Sequence, residues 1–494
     1  MHKKLPIFYS ALLLTGVNLL LRFVGTSFQV YLSGRIGPAG IGLLQLVLSV
    51  GTLAMTAGIA GIRTTAMYLT AEELGKKRPG NVIWVLSGCF IYSVICSGVI
   101  GLGLYFAAPV IATYWIGDLQ IVNSVRLLAC CLPINCLCGV MVGYFTAANR
   151  IGTLAAVEVA EQLLSLTSTM FLLTVWAGTD PYRACISVIL GSNLSACITL
   201  CLLAILRVRE RVRHGPRIPV RRRLLQTAVP LALADDLKAG ISTAENLMVP
   251  KRLALYPRVA DPLAAFGLVS GMVFPILMFP AAILFALAEL LIPELARCNA
   301  AGSHQRICYL VRRSLRLSLL YGCLFCGLMI LLAEPLCLRL YNNTQAGVFL
   351  RRFAFLVPML YCDAITDAMT KGLGQQKVCV RYNIITSVMD VAFLFFMLPR
   401  YGMDGYFISF LVTHLLNFVL SLRRLLKITG IRIRYTVPLL TGCATALAVL
   451  GAGFAPFVSL KVIGYVLLLA CLLFLFQVLQ KEDYLWLRGL VRKK

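Results

Sequence analysis

The stretch "GVNLLLRFVGTSFQV", Gly16 to Val30, places an arginine in the middle of an apolar run from Pro6 to Leu32. That run is about 27 residues long, and a helix needs about 20 to cross a bilayer core. Lys3 and Lys4 precede it, as in a signal peptide. The apolar part is too long for a signal peptide's hydrophobic region, and no small-residue cleavage site follows. The run therefore reads as a retained first transmembrane helix. A central arginine costs roughly 2.5–3.5 kcal/mol on insertion scales. At a helix end it would snorkel to the surface. From the middle of a span, Arg22 must face either an acidic partner, as a structural ion pair, or a wet cavity, as an anion-binding group. Its own helix favours the cavity. Thr15, Asn18, Arg22, Gly25, Thr26 and Gln29 recur at steps of three and four, which puts them on one face.

The second span carries a similar stripe: Gln45, Ser49, Thr52, Thr56 and Arg63. The most heavily charged span is the seventh, "LALADDLKAGISTAENLMVPKRL", Leu231 to Leu253. It holds Asp235, Asp236, Lys238, Ser242, Glu245 and Asn246, with Asp235, Lys238, Ser242 and Glu245 on one face. These acids suit pairing with Arg22, holding a coupling cation (H+ or Na+), or simple salt bridging. Further polar stripes are Glu158, Glu161, Gln162 and Ser165 in span five, Asp363, Asp367 and Thr370 in span ten, and Asp390 in span eleven. Some of these side chains bind helix to helix.

The whole chain has the same character. Of its 494 residues 60% are hydrophobic and only 13% charged, and its mean hydropathy is +0.86. Soluble domains carry about 25% charged residues, so the reading is an all-α polytopic membrane protein. A net charge of +26 would otherwise suggest nucleic acid. Here the basic residues sit in short loops between apolar spans, as cytoplasmic loops require, and nucleic-acid binding is set aside. Most of the 18 cysteines lie inside apolar spans, where a thiol acts as a small hydrophobe. The "CCLPINCLC" run, Cys130 to Cys138, has no histidine nearby and is not read as a metal site. The spacing suggests no disulfide framework. No cofactor is expected. The chain has no P-loop, nucleophile elbow or H-E-x-x-H, so enzyme chemistry is not expected either.

About fourteen spans fit the hydropathy pattern. Alternate loops are rich in Lys and Arg: "EELGKKR" after span two, "RVRERVRHGPRIPVRRR" after span six, "RRLLKITGIRIR" after span twelve, and the tail ending "RGLVRKK". An even count then places both termini in the cytoplasm of a bacterial plasma membrane. The loop with Lys251, Arg252 and Arg258 weakens this bias without reversing it. The basic loop also divides the chain. Residues 1–206 form an N-terminal lobe of six spans, 207–223 the loop, 224–430 a C-terminal lobe of six, and 431–494 two extra helices with a basic tail. Two weak echoes support duplication. "GPAGIGLLQLVLSV" from Gly37 resembles "DPLAAFGLVSGMVF" from Asp261, and "TAANRIGTLAAVEV" from Thr146 falls opposite "KGLGQQKVCVRYNI" from Lys371. Both shifts are roughly 225 residues, and such repeats in transporters place the substrate between the halves. Pro230, Pro275 and Pro280 mark possible kinks.

Several stretches resemble one family. They are "AGIAGIRTTAMYLTAEELGKKR" at the end of span two, "VGYFTAANRI" after span four, "AEQLLSL" in span five, "TAVPLAL" and "ENLMVPKRL" at the two ends of span seven, and "FGLVSGMVFPILMFPAAILFALAELLIPELARC" over span eight. With the span count, they are similar to the multidrug/oligosaccharidyl-lipid/polysaccharide (MOP) flippase superfamily. The closest text is its polysaccharide-transport branch of sporulation-type proteins and lipid II flippases. Each motif is loose, and the combination carries the resemblance over nearly the whole chain. It implies a MATE-like pair of lobes related by a pseudo-twofold axis around a cavity that opens to each side in turn. It implies a lipid-linked sugar with a phosphate or diphosphate as cargo, with Arg22 at a position that is basic in related flippases and Glu245 where sporulation-type members tend to have an acid. Span one lacks a second arginine one or two turns on, where Thr26 and Phe28–Gln29 stand. The resemblance therefore leaves the headgroup's identity open.

The leading expectation is a monomeric flippase for polyprenyl-linked saccharides. Arg22 would contact the phosphate, and Asn18, Thr26, Gln29, Gln45, Ser49, Thr52 and Arg63 would line the headgroup cavity. The lipid tail would stay among the membrane lipids. Two alternatives are a cation-coupled multidrug antiporter, which needs acids in the cavity, and a non-transporting scaffold in envelope or spore assembly.

Overall fold

The computed structural model describes residues 7–59, 61–76, 78–148, 150–208, 220–432 and 435–478. Most of the basic loop 207–223 and the tail from 479 onward lie outside the described residues. Among the described residues the chain is helical, with no strand.

The first helix, α1 (Ile7–Ile59), has 53 residues. At 1.5 Å per residue it is about 80 Å long, over twice the ~30 Å of a bilayer core. It must therefore bend, and it does so at Gly37–Pro38. Gly37 has φ 68°, a conformation that side chains rarely allow, and Pro38 has no N–H to continue the ladder. The two arms on either side correspond to spans one and two. Short α2 (Ile62–Gly75) follows the second arm. Next come α3 (Val82–Val110), α4 (Val122–Ala147), α5 (Ile151–Leu172), α6 (Pro181–Val208) and α7 (Arg221–Leu253).

Span eight is broken into α8 (Pro262–Gly267), α9 (Phe274–Met278) and α10 (Ala281–Ala300). It bends by 61° between Met278 and Ala281, beside Pro280. The chain continues through α11 (His304–Tyr341), α12 (Thr344–Ala354), α13 (Val357–Gly372), the 54-residue α14 (Gln376–Thr429), α15 (Thr436–Gly453) and α16 (Val458–Leu475). Like α1, α14 turns at a positive-φ glycine, Gly402. Nine of the described helices are long and apolar enough to cross a membrane, ten with the bent pair of span eight. Two of the nine are double-length, and α7 falls outside the test, with Asp235, Asp236, Lys238 and Glu245 in its middle. With the 16-residue α13 as span ten, the arrangement is consistent with the fourteen expected segments.

The chain packs as two compact units: Met1–Gly271 with Val391–Met403, and Met272–Asp390 with Asp404–Lys494. In the first unit, α7 packs on α1 and α2. Leu224 and Ala228 of α7 join a buried cluster with Ile62, Leu69, Val85 and Phe145. Lipid offers no hydrophobic drive for helices to associate, so close packing and hydrogen bonds must hold them. Both devices are present. Gly267 of α8 stands against the carbonyl of Pro38, and Gly42 of α1 against the carbonyl of Leu263. A Cβ at either glycine would strike backbone. Since 38 and 42 correspond to 263 and 267 at the repeat shift of roughly 225, the two contacts are reciprocal, as in an isologous interface. The polar device joins the end of α2 to the start of α7. Arg223 donates to Glu73 Oε1 (3.0 Å) and Glu72 Oε2 (2.5 Å), and Asn81 donates to the second oxygen of Glu73 (3.2 Å).

In the second unit, three tyrosine hydroxyls serve the broken span. Tyr341 donates to the Met272 carbonyl, Tyr361 to Leu277 and Tyr321 to Pro280. The appended α15 and α16 pack on α11, where Tyr465 lies over Gly327 and donates to the Cys323 carbonyl at 3.0 Å.

Candidate functional site

The first unit brings together part of the expected polar lining. Along the first arm of α1, Arg22, Thr26 and Gln29 are half-buried. The Thr26 hydroxyl donates to the Arg22 carbonyl at 2.9 Å, which uses its proton within its own helix. The side chain of Asn18 lies outside the described residues. Gln29 has a definite partner: its amide nitrogen donates to the Gly271 carbonyl at 3.1 Å. That partner follows from the sequence. Pro275 has no N–H to offer the carbonyl four residues before it, and buried carbonyls need a donor. Gln29 supplies one.

On the second arm, Gln45 and Ser49 are half-buried and Thr52 is exposed. Ser49 is the meeting point with α7. Its hydroxyl donates to the Gln45 carbonyl (2.8 Å) and accepts from Asn246 Nδ2 (3.0 Å), and its carbonyl accepts from the Thr243 hydroxyl (3.1 Å). Arg63 in α2 is exposed, within electrostatic reach of Glu158 of α5. One turn further along α5, Glu161 pairs with Thr199 of α6.

On α7 the expected charged face is accessible. Asp235, Lys238 and Ser242 are exposed and Glu245 is half-buried. Asp236 points elsewhere, half-buried and within electrostatic reach of Tyr92 of α3, with one carboxylate oxygen buried and unbonded among the described residues. The other side of α7, with Thr243 and Leu247, is buried. Thr243 had no distinguishing signal in the sequence, being one hydroxyl among many. Asn246 was visible as a polar residue, but its partner lies 197 positions away.

In the second unit Asp390 is buried, Asp363 and Asp367 are half-buried, and all three are bonded. Asp390 Oδ1 accepts from the hydroxyls of Ser409 (2.7 Å) and Thr413 (2.9 Å). Asp363 accepts from Asn417 (3.1 Å), and Asp367 pairs with Lys371 (2.6 Å).

Comparison with known proteins gives these similarities. Residues 8–233 match the family model described as polysaccharide biosynthesis protein, and residues 255–396 match the MatE family. Stage V sporulation protein B of Bacillus subtilis (strain 168) is 20% identical over 409 residues, 79% of this chain and 77% of the relative. Each family model covers less than half of the chain, and the chain resembles members of the MOP superfamily. Sporulation protein YkvU of the same organism is also 20% identical, over 74% of this chain and 82% of its own length. Among solved structures, the lipid II flippase MurJ in an inward closed conformation superposes with TM-score 0.70 at 12% identity, over 97% of this chain and 100% of that one. An inward-facing multidrug resistance MATE family transporter of the MOP superfamily gives TM-score 0.69 at 13% identity, over 85% and 98%. The two superposed structures are a flippase and a multidrug transporter, and the likeness shows a shared multi-span helical fold.

Proposed function

We propose that this protein moves a lipid-linked saccharide with an anionic phosphate or diphosphate headgroup across the bacterial plasma membrane by alternating access. The observation that carries this is the polar stripe of α1. Arg22, Thr26, Gln29, Gln45, Ser49 and Thr52 run along its two arms as half-buried or exposed side chains, and the stripe holds a cation and no carboxylate. Arg63 adds a second cation on α2. Charge-assisted bonds from Arg to phosphate suit the headgroup, and amides and hydroxyls suit sugar oxygens. In this reading residues 1–206 and 224–430 are the two lobes, both termini are cytoplasmic, and the transporter acts as a monomer in which the accessible acids Asp235 and Glu245 hold a coupling cation.

The test is native mass spectrometry of wild type and Arg22→Ala, each incubated with a polyprenyl-diphosphate saccharide and separately with a cationic dye. Retention of the sugar lipid by wild type and its loss from Arg22→Ala is expected. Dye binding by both proteins with no sugar lipid on either would overturn the reading. It would favour the second one, a cation-coupled multidrug antiporter, for which the exposed Asp235 and half-buried Glu245 are the motivating observation.

A further inference from the structure

The first unit contains a second feature that the polar stripe does not use. A cavity of about 510 Å³ runs along α7 between Leu53 of α1 and Trp115, just beyond α3. Leu247 and Met248 of α7 form an apolar wall. Gly240 and Ala244, one turn apart, keep the helix surface low there. At the far end of α7 the lining ends in two cations, Lys251 and Arg252. From Gly240 to Arg252 the groove follows the helix for about 18 Å, roughly half a bilayer. Arg252 is held in place by the Phe395 ring, 3.2 Å from its guanidinium carbon to the ring centroid. Lys251 is exposed, and neither cation forms an ion pair among the described residues. The two cations sit at the end of α7 away from the basic loop 207–223, where the charge bias of the chain would keep cations few.

We propose that this groove is a binding site for an anionic glycerophospholipid of the surrounding bilayer. One acyl chain would lie along Leu247, Met248 and the small-residue surface of α7, and the phosphate would sit at Lys251 and Arg252. Three observations converge on this occupant. Apart from Thr243, whose hydroxyl is taken up by the Ser49 carbonyl, the lining is apolar for half a membrane thickness, the charge is confined to one end, and Trp115 stands in the wall as aromatic rings do near headgroup level. The volume lies within the usual range for a small-ligand pocket, which suits one chain better than a long polyprenyl tail. The site is independent of the cargo reading, and its failure would leave that reading intact.

The experiment uses the full chain, delipidated in detergent and titrated with phosphatidylglycerol or phosphatidylcholine, with bound lipid counted by native mass spectrometry. Wild type should hold one phosphatidylglycerol in preference to phosphatidylcholine. Lys251→Gln/Arg252→Gln should weaken that adduct roughly thirtyfold, about fivefold for each cation. Lys251→Gln alone, which leaves the Phe395 contact in place, guards against misfolding and should weaken it about fivefold. Ala244→Phe, which fills the groove and keeps the charges, should also lose the adduct. Arg258→Gln, a cation of the same loop outside the groove lining, should retain it. The proposal fails if phosphatidylcholine binds as tightly, if Ala244→Phe binds like wild type, if the charge variants bind like wild type, or if an equal concentration of polyprenyl phosphate displaces the phospholipid.

Discussion

Asp390 in the second unit and Thr52 in the first are both polar residues within membrane-length helices, and their surroundings differ sharply. Asp390 is 4% exposed, and one of its oxygens receives two hydroxyls from the facing arm of the same helix. Thr52 is exposed, and its hydroxyl bonds only to its own helix, at the Leu48 carbonyl. Between these extremes stand Gln29 and Ser49, which are half-buried and bonded across helices. A polar group in a membrane protein either has fixed partners or an accessible face. In the second unit Asp390 serves to fix the packing of its own helix arms. The first unit leaves much of its stripe accessible, as the proposed transport of a cargo requires.

The sharpest test of fixed packing is Gly267→Val. The added side chain would strike the Pro38 carbonyl and the Gly42 backbone, neither of which can rotate away. Overpacking of this kind costs about 3 kcal/mol, so the melting temperature in detergent should fall by several degrees. Gly98→Ala is the control, since nothing lies within 4 Å of that position. A variant at Gly267 that melts like wild type would mean that the reciprocal contact does not hold the unit together.

Asp390→Ala comes next. It removes the acceptor of Ser409 and Thr413 from a buried site. Thr413 also bonds to the Ser409 carbonyl at 2.9 Å, so part of the loss is absorbed by its own helix. The expected cost is about 2 kcal/mol, the usual range for leaving a buried polar group unsatisfied. Asp390→Asn, which keeps an acceptor oxygen, should cost less. A wild-type melting curve for Asp390→Ala would remove the distinction between the two units.

Gln29→Leu is smaller and more specific. It leaves the Gly271 carbonyl without its donor, at about 1 kcal/mol. Restoring an N–H with Pro275→Ala should remove most of that cost, giving a measurable coupling in a double-mutant cycle. Additive melting shifts would show that Gln29 and Pro275 act independently.

The chain's large-scale organisation was legible because hydropathy and charge are summed over many residues. The all-helical, multi-span character, the break of span eight at Pro280, and the polar faces of α1 and α7 all follow from local spacing. The repeat echo between Gly37 and Asp261 was visible as text, but the reciprocal seating of Gly42 and Gly267 was not. It depends on which surfaces meet, and periodicity does not encode that. The same holds for Arg223. Its charge counted toward a basic loop, while its partners Glu72 and Glu73 lie 150 positions away in another. Two adjacent carboxylates at the edge of a basic loop were the only local hint. The pairing of Thr243 and Asn246 with Ser49 was hidden for a similar reason: a hydrogen bond to Ser49 has no signature in either helix alone.

The smallest effect on stability, and the most informative, is expected at Thr52. Thr52→Val keeps the shape, and the hydroxyl it removes bonds within its own helix, so the stability should stay within the roughly ±0.5 kcal/mol typical of exposed sites. If the stripe is the cargo surface, binding of a polyprenyl-diphosphate saccharide should still weaken, because a hydroxyl aimed at a polar headgroup has been replaced by a methyl. Ser49→Ala should behave differently. It breaks the bond from Asn246 as well, so stability and binding should fall together. The two variants thus separate a group that faces the cargo from one that holds α7 against α1. Thr52→Val with unchanged binding would move the occupied part of the stripe toward Arg22, whereas a large loss of stability at Thr52 would place this residue with Asp390, among the fixed groups of the fold.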